Sequence, residues 1–282
     1  MLLVARKPIP GPLVQKSQNT SMIGTSLDTR RLAYLRDLLR ELVIRDMKVR
    51  YKRSVLGIAW SLVTPLIQLL VFTFLFGKVI SLGIPNYPLF ILAGLLPWNW
   101  FTMSLVQATV SVVENRELVK LPGFPAAILP AVTVTAHLVH FLLALLLLIL
   151  FMLVWEIRLT MAVAALPVVI LSQYALTVGL AYFAAASHVR FRDTQHIVNV
   201  LLTLAFFLAP VFYDAGAVPS SYQMFYRLNP MVHLLAAYRA VLIRGELPGV
   251  LHLLALGVST GGFLLMGYLV FNRASSHFDE DL

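Results

Sequence analysis

Two histidines, His137 and His140, stand three residues apart inside a long apolar run, a spacing that puts both rings on one face of a helix. Such a pair can ligate a metal or relay a proton. Neither use is supported by a neighbouring carboxylate, so the rings read as hydrogen-bonding groups between helices. The second chemically suggestive set is aromatic. Trp98, Trp100 and Phe101 follow Pro97, with Tyr87 and Phe90 upstream and Phe206, Phe207, Phe212 and Tyr213 much later. Flat aromatic faces suit the C–H faces of sugars and let a polymer slide without deep binding wells. Core packing and interfacial belts account for the same residue types.

Other chemistry is missing. No phosphate-cradling G-x-x-x-x-G-K-[ST] loop is present, since Gly77-Lys78 lacks both the upstream glycine and the following hydroxyl. No H-E-x-x-H zinc motif or G-x-S-x-G nucleophile elbow occurs. The chain is not expected to be an enzyme or to carry a cofactor, and a membrane-embedded glycosyl- or acyltransferase would need clustered carboxylates or histidines at a membrane face. The chain has no cysteine, which excludes a disulfide scaffold, an iron–sulfur cluster and a thiolate metal site.

The elements that must position these residues follow from composition. Of 282 residues, 59% are apolar and 12% are charged, with a mean hydropathy of +0.83. A water-soluble domain of this size could not bury so much apolar surface. An all-α membrane protein is predicted, with six apolar runs long enough to span: Val55–Ile80, Leu89–Val113, Ala126–Val154, Met161–Ser187, Thr194–Phe212 and Val250–Phe271. Their middle turns hold no Asp, Glu, Lys or Arg, which disfavours an ion-coupled flippase.

Charge sets the orientation. Residues 1–54 carry twelve Lys and Arg, and seventeen of the 22 fall on the side that holds both termini. By the positive-inside rule that side is cytoplasmic. The net charge of +9 is thus mostly a topology signal, and no nucleic-acid partner is expected. Residues 1–30, rich in Pro, Ser, Thr and Asn, read as a flexible cytoplasmic tail without a cleavable signal. Residues 31–54 read as an amphipathic interface helix whose apolar face holds Leu32, Leu35, Leu39, Leu42 and Val43. Residues 55–282 form the six-span domain. Its connector at 114–125 (ENRELVKLPGFP) has a turn or two of helix formers, broken by Pro122-Gly123. The stretch 213–249 is too long for a simple connector, and its two short helical runs predict an external re-entrant hairpin.

Six segments in order resemble one family: LVIRDMKVRYKRSVLG at 42–57, GLLPWNWF at 94–101, Leu118-Val119-Lys120 with Phe124-Pro125, HVRFRD at 188–193, Pro210-Val211, and Asn229-Pro230-Met231 with Tyr238-Arg239. The chain is similar to the permease subunits of type-2 ABC exporters for cell-surface polysaccharides such as O-antigen, capsule or teichoic acid. The resemblance implies a homodimer in the bacterial inner membrane, working with two separate ATP-binding subunits that hold the ATP and Mg. It implies lipid-linked polysaccharide as substrate, with lipid or small-drug export as the alternative within the same type. It makes Glu114, Asn115, Glu117, Leu118 and Lys120 the coupling segment. It makes Arg45, Asp46, Arg50, Tyr51 and Arg53 a gate at the interface helix. Tyr87, Phe90, Trp98, Trp100, Phe101, Phe207 and Phe212 become the expected channel wall.

Overall fold

The computed structural model describes residues 20–52, 57–157 and 159–278. The chain divides into two compact units, 1–38 and 39–282. Among the described residues the regular structure is helical, without strands. The first helix, α1, runs Thr20–Tyr51 and so begins upstream of the expected residue 31. From Leu39 onward its half-buried positions are Leu39, Leu42, Val43, Asp46, Met47, Arg50 and Tyr51. That spacing of three and four is one helix face. The face continues the expected apolar stripe and ends in polar residues. Leu32, assigned to the same stripe from sequence, is 66% exposed.

Among the described residues, five helical segments have the length and apolarity to cross a bilayer: α2 (Trp60–Val79), α3 (Tyr87–Glu114), α5 (Ile128–Val154), Met161–Arg190, whose α-helical part Leu166–Arg190 is α6, and α10 (Val250–Ser275). A short helix, α4 (Arg116–Val119), joins α3 to α5. The expected fifth span is shorter than its apolar run. Helix α7 covers Thr194–Leu208, about 22 Å at 1.5 Å per residue, against a hydrocarbon core of about 30 Å. Its end has a local cause. Pro210 lacks a backbone donor and pushes the preceding residue out of helical geometry, and Ala209 is extended with ψ 145°. After α7 come two short helices, α8 (Gln223–Leu228) and α9 (Pro230–Arg239). The Asn229 side chain caps α9 by accepting from the Met231 N–H at 2.9 Å, and Pro230 sits at the first helical position, where its missing N–H costs nothing.

Helix α3 is the axis of the bundle and is buried along most of its length, whereas α2 buries only Pro65 and Leu69 and α7 has no buried residue. Helix α9 also packs inward, with Met231, Leu234, Leu235 and Tyr238 buried. Helices α6 and α10 approach each other closely at a pair of glycines. A Cβ placed on Gly267 would overlap the Gly179 carbonyl, so only a hydrogen fits there. Small residues at such a crossing let the backbones meet, the usual way helices associate where lipid removes the hydrophobic incentive. Tyr182 packs on Phe271 beside this contact, ring centroids 5.3 Å apart.

Candidate translocation and coupling sites

The irregular segment after α7 defines the first site. Ala209, Pro210 and Val211 are buried, and non-helical backbone at membrane depth must have its polar groups satisfied within the protein. Arg239, at the end of α9, meets that requirement. Its guanidinium donates to the Pro210 carbonyl at 2.6 Å and to the Val211 carbonyl at 2.5 Å. The same group lies over the Phe90 ring, 3.7 Å from its centroid. Gly94 makes room for this arrangement, because a Cβ there would come within 2.6 Å of Arg239 Nη2 and 2.7 Å of the Val211 oxygen.

The aromatic residues gather around the same segment. Phe212 is the hub, with ring centroids 5.1 Å from Phe76, 5.6 Å from Phe206 and 5.0 Å from Tyr213. Tyr87 donates its hydroxyl to the Phe212 carbonyl at 3.0 Å. Trp98 touches both Phe101 and Phe206. The cluster therefore ties α2, α3 and α7 together, and α2 and α7 turn their other sides outward. Of the seven residues expected to form a wall, Tyr87, Phe90, Trp98, Trp100 and Phe101 are buried within the chain. Trp100 lies apart from the cluster, stacked on Phe141 at 4.9 Å and donating its indole N–H to the Val134 carbonyl. Phe207 is the exposed member at 60%, and Phe212 is half-buried. The sequence reading did not single out Phe72 and Phe76, whose spacing of four on α2 was the available signal.

The second site lies at the other end of α3. Glu114, Arg116, Glu117, Lys120 and Leu121 are exposed, while Asn115 and Leu118 are half-buried. Asn115 ends α3 by donating its side-chain amide to the Ser111 carbonyl at 2.8 Å. Its side-chain oxygen accepts from Arg45 of α1 at 2.9 Å. Gly123 takes φ +79°, the left-handed conformation that breaks the segment after one helical turn. Further along α1, Arg50 pairs with Asp46 at 3.0 Å. The Tyr51 hydroxyl reaches a ring nitrogen of His140 at 3.1 Å, and burial raises the Tyr51 pKa. Arg53 lies outside the described residues. His137 meets Gln107 Oε1 of α3 at 2.9 Å. Both histidines thus bridge helices, and among the described residues no cluster of three His, Asp or Glu side chains could hold a metal ion. The gate and coupling residues expected separately from sequence are joined here by the Arg45–Asn115 bond.

Residues 37–243 match the model of the ABC-2 type transporter family. The chain belongs to the ABC-2 type transporter family. It is 37% identical over 255 residues to the O-antigen export system permease protein RfbA of Myxococcus xanthus, covering 90% of this chain and 98% of that one. An O-antigen export system permease protein RfbA of Klebsiella pneumoniae is 30% identical over 253 residues, 89% of this chain and 97% of its own length. The polysialic acid transport protein KpsM of Escherichia coli is 24% identical over 218 residues, 72% of this chain and 80% of its own. As a member of this family the chain is a transporter permease subunit, in keeping with its long apolar helices.

Proposed function

We propose that this permease exports a lipid-linked, O-antigen-like polysaccharide across the bacterial inner membrane, as a homodimer driven by two ATP-binding partner subunits. The observation that carries the reading is the near-complete coverage of relatives named as O-antigen permeases. The geometry supports it in three ways. The exposed apolar faces of α2 and α7 adjoin through the aromatic cluster, a surface suited to a second copy and the path between copies. Phe207 presents its ring on that surface, with Tyr87, Phe90, Trp98 and Phe101 setting its shape from behind. Helix α7 and the buried turn at Ala209–Val211 that continues it make up the sixth crossing of the membrane. Both termini then face the cytoplasm, and α8 with α9 forms the re-entrant hairpin on the outer side.

Residues 114–120 are the contact for the ATP-binding partner. Binding of ATP draws the partners together, the segment moves with them, and the Arg45–Asn115 bond carries that motion into α1. The test is co-expression with the neighbouring ATPase, extraction in mild detergent and measurement of ATP hydrolysis. A stable complex whose turnover is lost or uncoupled by Glu117→Arg with Leu118→Asp supports the reading. A chain that purifies alone and moves substrate down an ion gradient overturns it.

A further inference from the structure

A groove of about 550 Å³ lies between α9 and α10, away from the aromatic cluster. It exists because α10 is pinned to α6 at Gly267, while the residues nearest α9 are too short to close the gap. Ala236, Ala237 and Ala240 face Ala255 and Ser259 across it. From His252 at the rim to Phe263 at the far end the groove follows α10 for about 16 Å, using 1.5 Å per residue. That is the depth of one leaflet, half of a hydrocarbon core of about 30 Å. An apolar cleft of this size inside a bilayer forfeits dispersion contacts along its whole lining unless something fills it.

The rim has different chemistry. Arg227, His233, Arg244 and His252 line it, with Glu246 as the carboxylate. Glu246 pairs with Arg244 at 3.2 Å. His233 donates Nε2–H to the Arg227 carbonyl at 2.8 Å, which ties α8 to α9 at the mouth. Among the described residues Arg227 makes no ion pair, and the two arginines set against Glu246 leave the rim a formal charge of +1. A cationic mouth above a leaflet-deep apolar slot is complementary to an anionic phosphate on a hydrocarbon tail.

We propose that this groove binds one acidic membrane phospholipid, its phosphate at Arg227 and His252 and an acyl chain along the alanines of α9. The proposal requires only that the chain cross a bilayer, and it is independent of what the permease exports. A phosphate with an apolar tail could also come from a polyprenyl phosphate, and the bare anion from inorganic phosphate, so the experiment separates the three. The permease–ATPase complex is reconstituted in nanodiscs of phosphatidylglycerol or phosphatidylcholine, stripped with detergent, and weighed by native mass spectrometry.

One phosphatidylglycerol retained per chain, with phosphatidylcholine lost, is the expected result. Arg227→Glu should lower that retention more than fivefold, since one basic group near a membrane surface is worth about a fivefold change in binding and the substitution reverses the charge. Ala236→Trp fills the groove without altering charge and should abolish retention. Ala236 is exposed in the chain, so this variant is expected to fold, and Arg227→Glu stands as an independent reading. Equal retention of both lipids, or retention unchanged by both variants, overturns the proposal. So does displacement by polyprenyl phosphate but not by phosphatidylglycerol, or displacement by inorganic phosphate alone. ATP turnover of the same complex reports separately on the permease assignment.

Discussion

Arg239 carries an unusual load for one side chain, since it satisfies two carbonyls of a broken helix and stacks on Phe90 at the same time. Hydrogen bonds to a charged group contribute about 1.5–3 kcal/mol each, and leaving their buried partners unmade costs more than the bonds are worth. Arg239→Ala should therefore destabilise the chain by 3 kcal/mol or more, on the order of the loss of both bonds, read as thermal unfolding in detergent. Arg239→Lys should recover little of this, because an ammonium is a point donor without the planar fork that reaches both oxygens and the ring. Gly94→Val should resemble Arg239→Ala, since the added atoms occupy the space of the guanidinium and the Val211 oxygen. An unfolding temperature for Arg239→Lys equal to that of the unmodified chain would refute this account. Pro210-Val211 and Tyr238-Arg239 both stood out in the sequence as segments resembling the family, but their contact was not legible, because the burial of Arg239 depends on carbonyls 28 and 29 residues away. The aromatic residues were legible as a group, but their direction was not, because α3 is apolar nearly all round and periodicity cannot say which side of such a helix meets a channel.

At the scale of elements, hydropathy read the long spans to within a few residues, since an apolar run of span length has few other uses. The run at 194–212 was read too long because hydropathy is blind to Pro210, whereas backbone geometry is not. The link between α1 and the α3–α5 connector was likewise invisible, because Arg45 and Asn115 are 70 residues apart. That link makes a prediction about coupling. Arg45→Ala removes one exposed hydrogen bond and should cost no more than about 1 kcal/mol of stability, while Asn115→Ala also removes the bond to the Ser111 carbonyl and should cost about 1–2 kcal/mol. If the bond transmits motion, each should nonetheless lower transport several-fold while ATP hydrolysis continues. The double substitution should be no worse than either single one, the non-additivity expected of partners in one interaction. Additive losses in transport would show that the two residues act independently.

For the whole molecule, α2 and α7 are the least buried of the apolar helices among the described residues. Leu201, Leu204 and Phe207 of α7 are all more than half exposed, as are Ile67, Leu70 and Phe74 of α2. Since the chain has no cysteine, single cysteines can be placed without background. Leu204→Cys is expected to form a disulfide-linked or bismaleimide-linked dimer in membranes, and Val258→Cys, an exposed residue of α10, is not. Cross-linking at Val258 alone would move the interface to α10 and with it the path for substrate.

The glycine crossing of α6 and α10 also has a consequence for biosynthesis. Helix α6 ends at Arg190 and α10 begins at Val250, so a ribosome adding about 5–20 residues per second makes the partner some 3–12 s later. Throughout that interval the notch at Gly179 faces lipid or the insertion machinery with its mate still unmade. A nascent chain arrested in this window displays a ready-made docking groove for small-residue helices, which is where a membrane chaperone or protease could distinguish an unfinished copy from a completed one.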